Sequence, residues 1–289
     1  MFIVNSYSLA VVFCFVTMLC WGSWGNTQKL AAKSWRYELF YWDYVIGMVL
    51  FSLLLCFTMG SIGSEGRPFI EDLGQADVAN IGWVILGGVI FNASNILLSA
   101  STSLAGLSVA FPLGVGLSLV IGTVVNYIGA PKGNPVLLFA GIALIVVAII
   151  CNGVASGKVQ KEGVDPESNR KGLILAVCAG VLMAFFYRFV AKAMDLGNFE
   201  HPTPGMVTPY TAIFIFSLGV LLSNFIFNTF VMKQPFVGEP VTYKQYFKGS
   251  FSTHLVGVLG GVIWCLGTAF SYIAAGKAGA AISYALGQG

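Results

Sequence analysis

Apolar positions in this chain gather into long runs instead of alternating with polar ones. Predominantly apolar stretches near twenty residues cover about 6–27, 40–60, 79–102, 105–129, 136–154, 172–191, 208–232 and 254–275. A bilayer core about 30 Å thick is crossed by roughly 20 apolar residues in a helix, so each run predicts one span. A ninth run begins near Ala278 and reaches Gly289 after about twelve residues, too few to cross. Strands of a membrane barrel would alternate over roughly ten residues, whereas these runs are apolar on every side. The pattern predicts an all-α membrane protein, a polytopic helix bundle.

The runs repeat. Shifted by 173 residues, "GGVIFNASNILLSASTSLAGLSVAFPLGVG" (87–116) lies without a gap on "GGVIWCLGTAFSYIAAGKAGAAISYALGQG" (260–289). Gly87, Gly88, Val89, Ile90, Ala105, Gly106, Leu113, Gly114 and Gly116 match their partners. The expected organisation is a five-helix unit over 1–155, a cytoplasmic linker over 156–171 and a second unit over 172–289. Five is odd, so the second unit enters the membrane from the opposite side. That is the inverted repeat of secondary transporters. The offset further predicts that the second unit runs to about residue 326, since 153 plus 173 is 326. The sequence therefore reads as C-terminally truncated, with eight helices and part of a ninth out of ten.

Composition agrees with a membrane solvent and removes other classes. The 289 residues are 57% hydrophobic and 9% charged, with a mean hydropathy of +0.83, where a soluble domain carries about 25% charged residues. Loops after spans 1, 3, 5 and 7 hold Lys29, Lys33, Arg36, Lys158, Lys161, Arg170, Lys171, Lys233, Lys244 and Lys248; Arg67, Lys132, Arg188, Lys192 and Lys277 fall on the other side. Positive residues favour the cytoplasm, which puts the amino terminus outside. The net charge of +3 reflects this topology, and no nucleic-acid surface is expected. Cys14, Cys20, Cys56, Cys151, Cys178 and Cys265 all fall in apolar runs without CxxC spacing, and read as buried free thiols. With His201 in a loop and His254 at a span entrance, no metal site is expected.

Polar residues inside apolar runs are the candidate chemistry. Asn92, Asn95, Ser99 and Thr102 share one helical face, and an amide left in hydrocarbon costs a few kcal/mol unless paired. The stripe faces the bundle interior, either as hydrogen-bonding glue between helices or as a solute wall. The face related by 173 residues is Trp264, Thr268, Ser271 and Tyr272. Near the amino terminus, "MLCWGSWGNTQKL" sets Trp21 and Trp24 beside Asn26 and Gln28. An interfacial aromatic belt accounts for Trp24 and Gln28; flat rings beside amides would equally hold a planar hydrogen-bonding solute. Tyr187, Tyr284 and Gln288 complete the substrate-binding candidates. Arg188 reads as a snorkelling residue or a gate. Asp43, the one carboxylate placed inside a span, is the candidate for proton coupling, against a purely structural role held by Tyr44 or a neighbouring helix.

"AGLSVAFPLGVGLSLVIGTVVNYIG" (105–129), Trp42-Asp43-Tyr44 and the "GGVI" opening at Gly87 resemble the ureide permease family of the drug/metabolite transporter superfamily, best over 79–150. The resemblance implies a ten-helix carrier for ureides or nucleobases, coupled to protons or another ion, that works by alternating access; neighbouring families carry sugars or export drugs. No cofactor is implied: "GVASGKV" (153–159) has three residues between its glycines and no Ser or Thr after the Lys, so it is not a phosphate-binding loop. A membrane-embedded enzyme would need a clustered His, Asp, Cys or Ser constellation, and the runs supply none. A scaffold would need no polar cavity. The expected partners are a small polar solute, a coupling ion and the lipid of a bacterial cytoplasmic membrane; nothing in the residues fixes an oligomeric state.

Overall fold

A computed structural model describes residues 1–158 and 165–289; Lys161 and part of the polar linker predicted between the units lie outside them. Helices α1 (Tyr7–Ala31), α2 (Tyr37–Phe57), α4 (Val78–Ala105), α5 (Leu107–Gly129), α6 (Pro135–Lys158), α7 (Pro166–Ala193), α8 (Pro209–Lys233) and α10 (Phe251–Ala278) are each long and apolar enough to cross a membrane. The chain is an integral, multi-pass membrane protein. α11 (Ala280–Gln288) is the short ninth run. Two further helices, α3 (Phe69–Gln75) and α9 (Tyr243–Tyr246), lie between spans; seven and four residues are too few to leave a periodic signal.

Local chemistry sets the ends. Ser6 Oγ accepts from the Leu9 amide at 3.2 Å and Asp165 Oδ2 from the Ser168 amide at 3.0 Å, each satisfying a donor that the first helical turn leaves free. Thr242 and Gln245 form a capping box on α9. Gly106 separates α4 from α5 and Gly279 separates α10 from α11, with φ of 83° and 85° and ψ of 156° at both. Such angles are open to glycine and strained for other residues.

α4 packs chiefly on α7 and α8, and α10 chiefly on α1 and α2. Glycines make the close approaches, and they do so twice. A Cβ on Gly88 would strike Phe216 O and Val220 N of α8; one on Gly261 would strike Tyr44 O and Met48 N of α2. Likewise Gly219 faces Ile85 O, and Gly47 faces Val258 O. These partners differ by 173 residues between α4 and α10 and by 172 between α2 and α8.

α6 packs chiefly on α5 and exposes Val136, Leu137, Leu144, Val147 and Ile150, an outer face that lipid covers without cost. Cys14, Cys20, Cys56 and Cys265 are buried as expected, but Cys151 and Cys178 lie exposed. Their spans turn those positions outward, a distinction an all-apolar run conceals. α2 also starts earlier than the apolar run indicates, so Glu38, fully buried, joins Asp43 inside a span. Arg36 pairs with Glu38 at 2.6 Å and donates to the carbonyls of Val237 and Glu239. At the far ends of the spans, Arg67 pairs with the buried Asp72 at 3.1 Å, whose other oxygen accepts from the Thr208 amide at 2.8 Å.

Candidate functional site

Where α1, α4, α5, α7, α10 and α11 converge, the side chains leave a small enclosed cavity. Trp21, Trp24, Asn95, Trp264 and Gln288 line it together with Phe91, Leu98, Val115, Met183 and Phe186. Its volume is about 10 Å³, room for about one water. The rings fill the rest: Trp264 lies parallel to Trp21 at 6.1 Å between centroids and 15° between planes, and Phe91 closes on Trp264 at 4.2 Å. Phe91 and Trp264 thus form the main bridge between α4 and α10, and separating their rings would widen the space.

Hydrogen bonds fix the tryptophans. Trp21 Nε1 donates to Thr268 Oγ1 at 2.9 Å, and Thr268 donates to Trp264 O at 3.0 Å. Trp24 packs on Tyr44 at 4.9 Å and Phe111 at 5.6 Å. On the opposite wall Asn95 Nδ2 donates to Tyr41 at 3.2 Å, while Asn95 Oδ1 and Ser99 Oγ are buried without a hydrogen-bond partner. Gln28 Nε2 donates to Ser99 O at 2.9 Å. A buried polar atom left unmade costs about 1–3 kcal/mol, so this wall holds unspent hydrogen-bonding capacity.

Of the twelve substrate-binding candidates, Trp21, Trp24, Asn95, Trp264 and Gln288 reach the cavity directly. Thr268 and Ser99 stand behind them. Asn92 turns aside and donates to Ser223 of α8 at 2.9 Å. Tyr187 hydrogen-bonds Ser271 at 3.0 Å and Ser283 at 3.3 Å, and Tyr284 bonds Ser118 at 2.5 Å. These two tyrosines brace α5, α7, α10 and α11 behind the wall. Tyr272 is fully buried, its hydroxyl unpartnered. Asn26 is exposed on the outer face of α1, because the helical turn that buries Trp21, Trp24 and Gln28 points it away. Phe91, Phe186, Leu98, Met183 and Val115 were not legible as wall residues, since an apolar residue of a span looks alike whether it faces lipid or a cavity.

Asp43 sits apart, held not by Tyr44 but by α9 and α10. Tyr246 donates to Asp43 Oδ1 at 2.7 Å and His254 Nδ1 meets the same oxygen at 2.8 Å. Asp43 Oδ2 is buried without a partner. Among the described residues no cluster of His, Cys, Asp and Glu could hold a metal ion.

This bundle of membrane-crossing helices is a transporter of small solutes, the class its relatives share. Residues 40–162 match the family model described as ureide permease, which bears out the resemblance read from the sequence. Ureide permease 1 of Arabidopsis thaliana is 22% identical over 306 residues, covering 85% of this chain and 77% of that protein. Ureide permease 3 of the same plant is 24% identical over 311 residues, covering 96% and 90%. The L-rhamnose-proton symporter of Yersinia pestis bv. Antiqua is 28% identical over 204 residues, covering 67% and 55%.

Proposed function

We propose that this chain is a proton-coupled secondary transporter for a planar, uncharged, hydrogen-bonding solute of the ureide or nucleobase kind, and not an enzyme. The observation that carries this reading is the pairing of parallel Trp21 and Trp264 rings with an unpartnered amide oxygen, Asn95 Oδ1, at one cavity. Rings of this kind bind flat faces, and a buried acceptor without a partner favours an N–H donor. Ureides and nucleobases present both. The relatives named ureide permease support the same class.

The reading includes two inverted units, the first over 1–155 and the second from 172, joined on the cytoplasmic side with the amino terminus outside. The equal bounds of α4 and α10 at an offset of 173, the glycine hinges at Gly106 and Gly279, and the reciprocal contacts of Gly88 and Gly261 support it. In such an arrangement the two halves rock about a central site, and the closed cavity corresponds to an occluded intermediate. Asp43 is the centre of proton coupling, since acids within spans are retained for function.

A sugar is the second reading, favoured by the relative named as an L-rhamnose-proton symporter and by tryptophan faces, which also stack on sugars. Uptake of labelled ureides, nucleobases and deoxysugars into proteoliposomes under an imposed pH gradient decides between them. Accumulation of a ureide or nucleobase that the cold compound competes away is the expected result; accumulation of the deoxysugar alone replaces the first reading by the second. With Asp43→Asn, gradient-driven accumulation is expected to fall to equilibration while counterflow of preloaded solute remains measurable. Undiminished accumulation in that variant would exclude Asp43 as the coupling site.

A further inference from the structure

At the end of the bundle where α2 and α10 begin, four aromatic and titratable side chains converge. Asp43 Oδ1 accepts from Tyr246 of α9 and meets His254 Nδ1 of α10. Trp35 packs against His254 at 5.3 Å and against Tyr246 at 6.2 Å. The Asp43 side chain is 3% exposed, but that of His254 is 25% exposed, so one edge of the pair touches solvent. Two glycines make the room: a Cβ on Gly257 would overlap Asp43 Cβ, and one on Gly249 would stand 2.7 Å from His254 Nε2. Burial, and then the neighbouring Asp43 carboxylate, push the Tyr246 phenol above its ordinary range, so it remains a donor.

The opposite end lacks all of this. Using the offsets of the glycine contacts, 43 plus 172 gives Ile215, 246 minus 173 gives Leu73 and 254 minus 173 gives Ile81. The same three places, on α8, α3 and α4, are purely apolar. The two ends share related backbone packing but differ at these three places, where only one carries titratable groups; the other end is tied instead by the buried Asp72 and Arg67.

We propose that Asp43, His254 and Tyr246 form a proton-operated latch that closes one end of the bundle. In the loaded state His254 carries protons on both ring nitrogens and donates from Nδ1 to Asp43 Oδ1, an ion pair of no net charge that holds α9 and α10 on α2. In the unloaded state one proton has left Nε2 for the water at the exposed edge, and a single negative charge stays between the helices. Charge without a compensating partner in so dry a place is costly, and the closed contact weakens. The groups facing Asp43 are Tyr246 from α9, His254 from α10 and Trp35 from the α1–α2 connection. α4, α8 and α1 turn uncharged groups toward α2, among them Asn95 against Tyr41, Asn228 against the Glu38 carbonyl and Trp24 against Tyr44. Lys244 on α9 and Lys248 just after it are the charged groups closest in sequence to Tyr246, and Arg36 and Glu38 bind one another. From His254 to Trp264 is ten residues of α10, about 15 Å at 1.5 Å per residue, so the latch acts on access to the cavity and not on the solute.

The proposal deepens the proton-coupling reading and rests on it for its role in transport, but closure can be tested without transport. Hydrogen exchange of the intact protein in lipid nanodiscs, corrected for intrinsic rates, reads how firmly each end is held. Between about pH 5 and pH 8, protection of amides in 243–257 is expected to fall about tenfold as the pH is raised, while 69–84 stays unchanged. In His254→Gln the 243–257 segment should lose this pH dependence; Tyr246→Phe, which leaves the pair in place, should keep it with a shifted midpoint. A wild-type profile in His254→Gln, an equal change at both ends, or no change in the wild type would overturn the latch. If the pH-dependent protection is found but a pH gradient drives no uptake, the latch stands as a pH-gated closure and the coupling reading falls.

Discussion

In the proposed site Asn95 offers an atom that the fold leaves open. The amide of Asn95 makes one hydrogen bond through its nitrogen and none through its oxygen. Asn95→Leu keeps the branched shape and removes an unmet polar atom together with the hydrogen bond to Tyr41, so stability should fall by no more than about 1 kcal/mol. Transport should drop about tenfold, the equivalent of one lost solute hydrogen bond near 1.4 kcal/mol. Uptake rate and thermal melting in detergent, measured together, check this; a parallel loss of both would reduce Asn95 to a structural residue. Trp21→Phe keeps a ring beside Trp264 but removes the donor to Thr268. The cost should be about 1 kcal/mol of stability, with solute affinity reduced because Trp21 is no longer held parallel.

Helices in this bundle meet at glycine, and the packing predicts which glycines tolerate a methyl group. Gly261→Ala presses on the backbone of α2 and Gly88→Ala on that of α8. Backbone cannot swing aside, so each should destabilise by about 1–3 kcal/mol. Gly141→Ala on α6 meets nothing within 4 Å and should be neutral or slightly stabilising, since alanine exceeds glycine in helix propensity by about 1 kcal/mol. Melting temperatures of the three variants in one detergent test the ranking. Gly106→Ala should be harmful for a different reason. Its φ of 83° places a Cβ in strain of about 1–3 kcal/mol.

Across the whole molecule both ends are tied by a buried acid and an arginine: Glu38 with Arg36, and Asp72 with Arg67. Removing an arginine leaves its carboxylate buried and unpaired, typically costing about 3–5 kcal/mol. In a rocking transporter that cost falls on one closed end and not the other. Arg67→Gln should raise hydrogen exchange in α3 and the 203–208 segment; Arg36→Gln should raise it near the start of α2 and residues 237–241. Each should slow transport by holding one end open. Simultaneous loosening of both ends by either variant would mean that the ends do not move separately.

The sequence alone determined the solvent of this protein and most of its helices. Runs near twenty apolar residues can be satisfied only by spanning helices that bond their own backbone groups, so α1, α2, α4, α5, α6, α7, α8 and α10 were all legible. Gly106 and Gly279 matched at the offset of 173 before their dihedral angles were known, because a hinge that only glycine adopts leaves an invariant mark. The sequence did not reveal which face of each helix turns inward. In lipid, an apolar side chain is equally satisfied outside or inside, so Phe91 and Met183 looked like Leu137, and Cys151 like Cys14. Polar residues were clearer, since hydrocarbon rejects them, yet burial did not assign their partners. Tertiary structure sent Asn92 to Ser223, Asn95 to the cavity and Asn26 to the exterior. It also brought His254 and Tyr246 onto Asp43 across more than 200 residues, a convergence set by how α2, α9 and α10 pack and therefore absent from any local pattern.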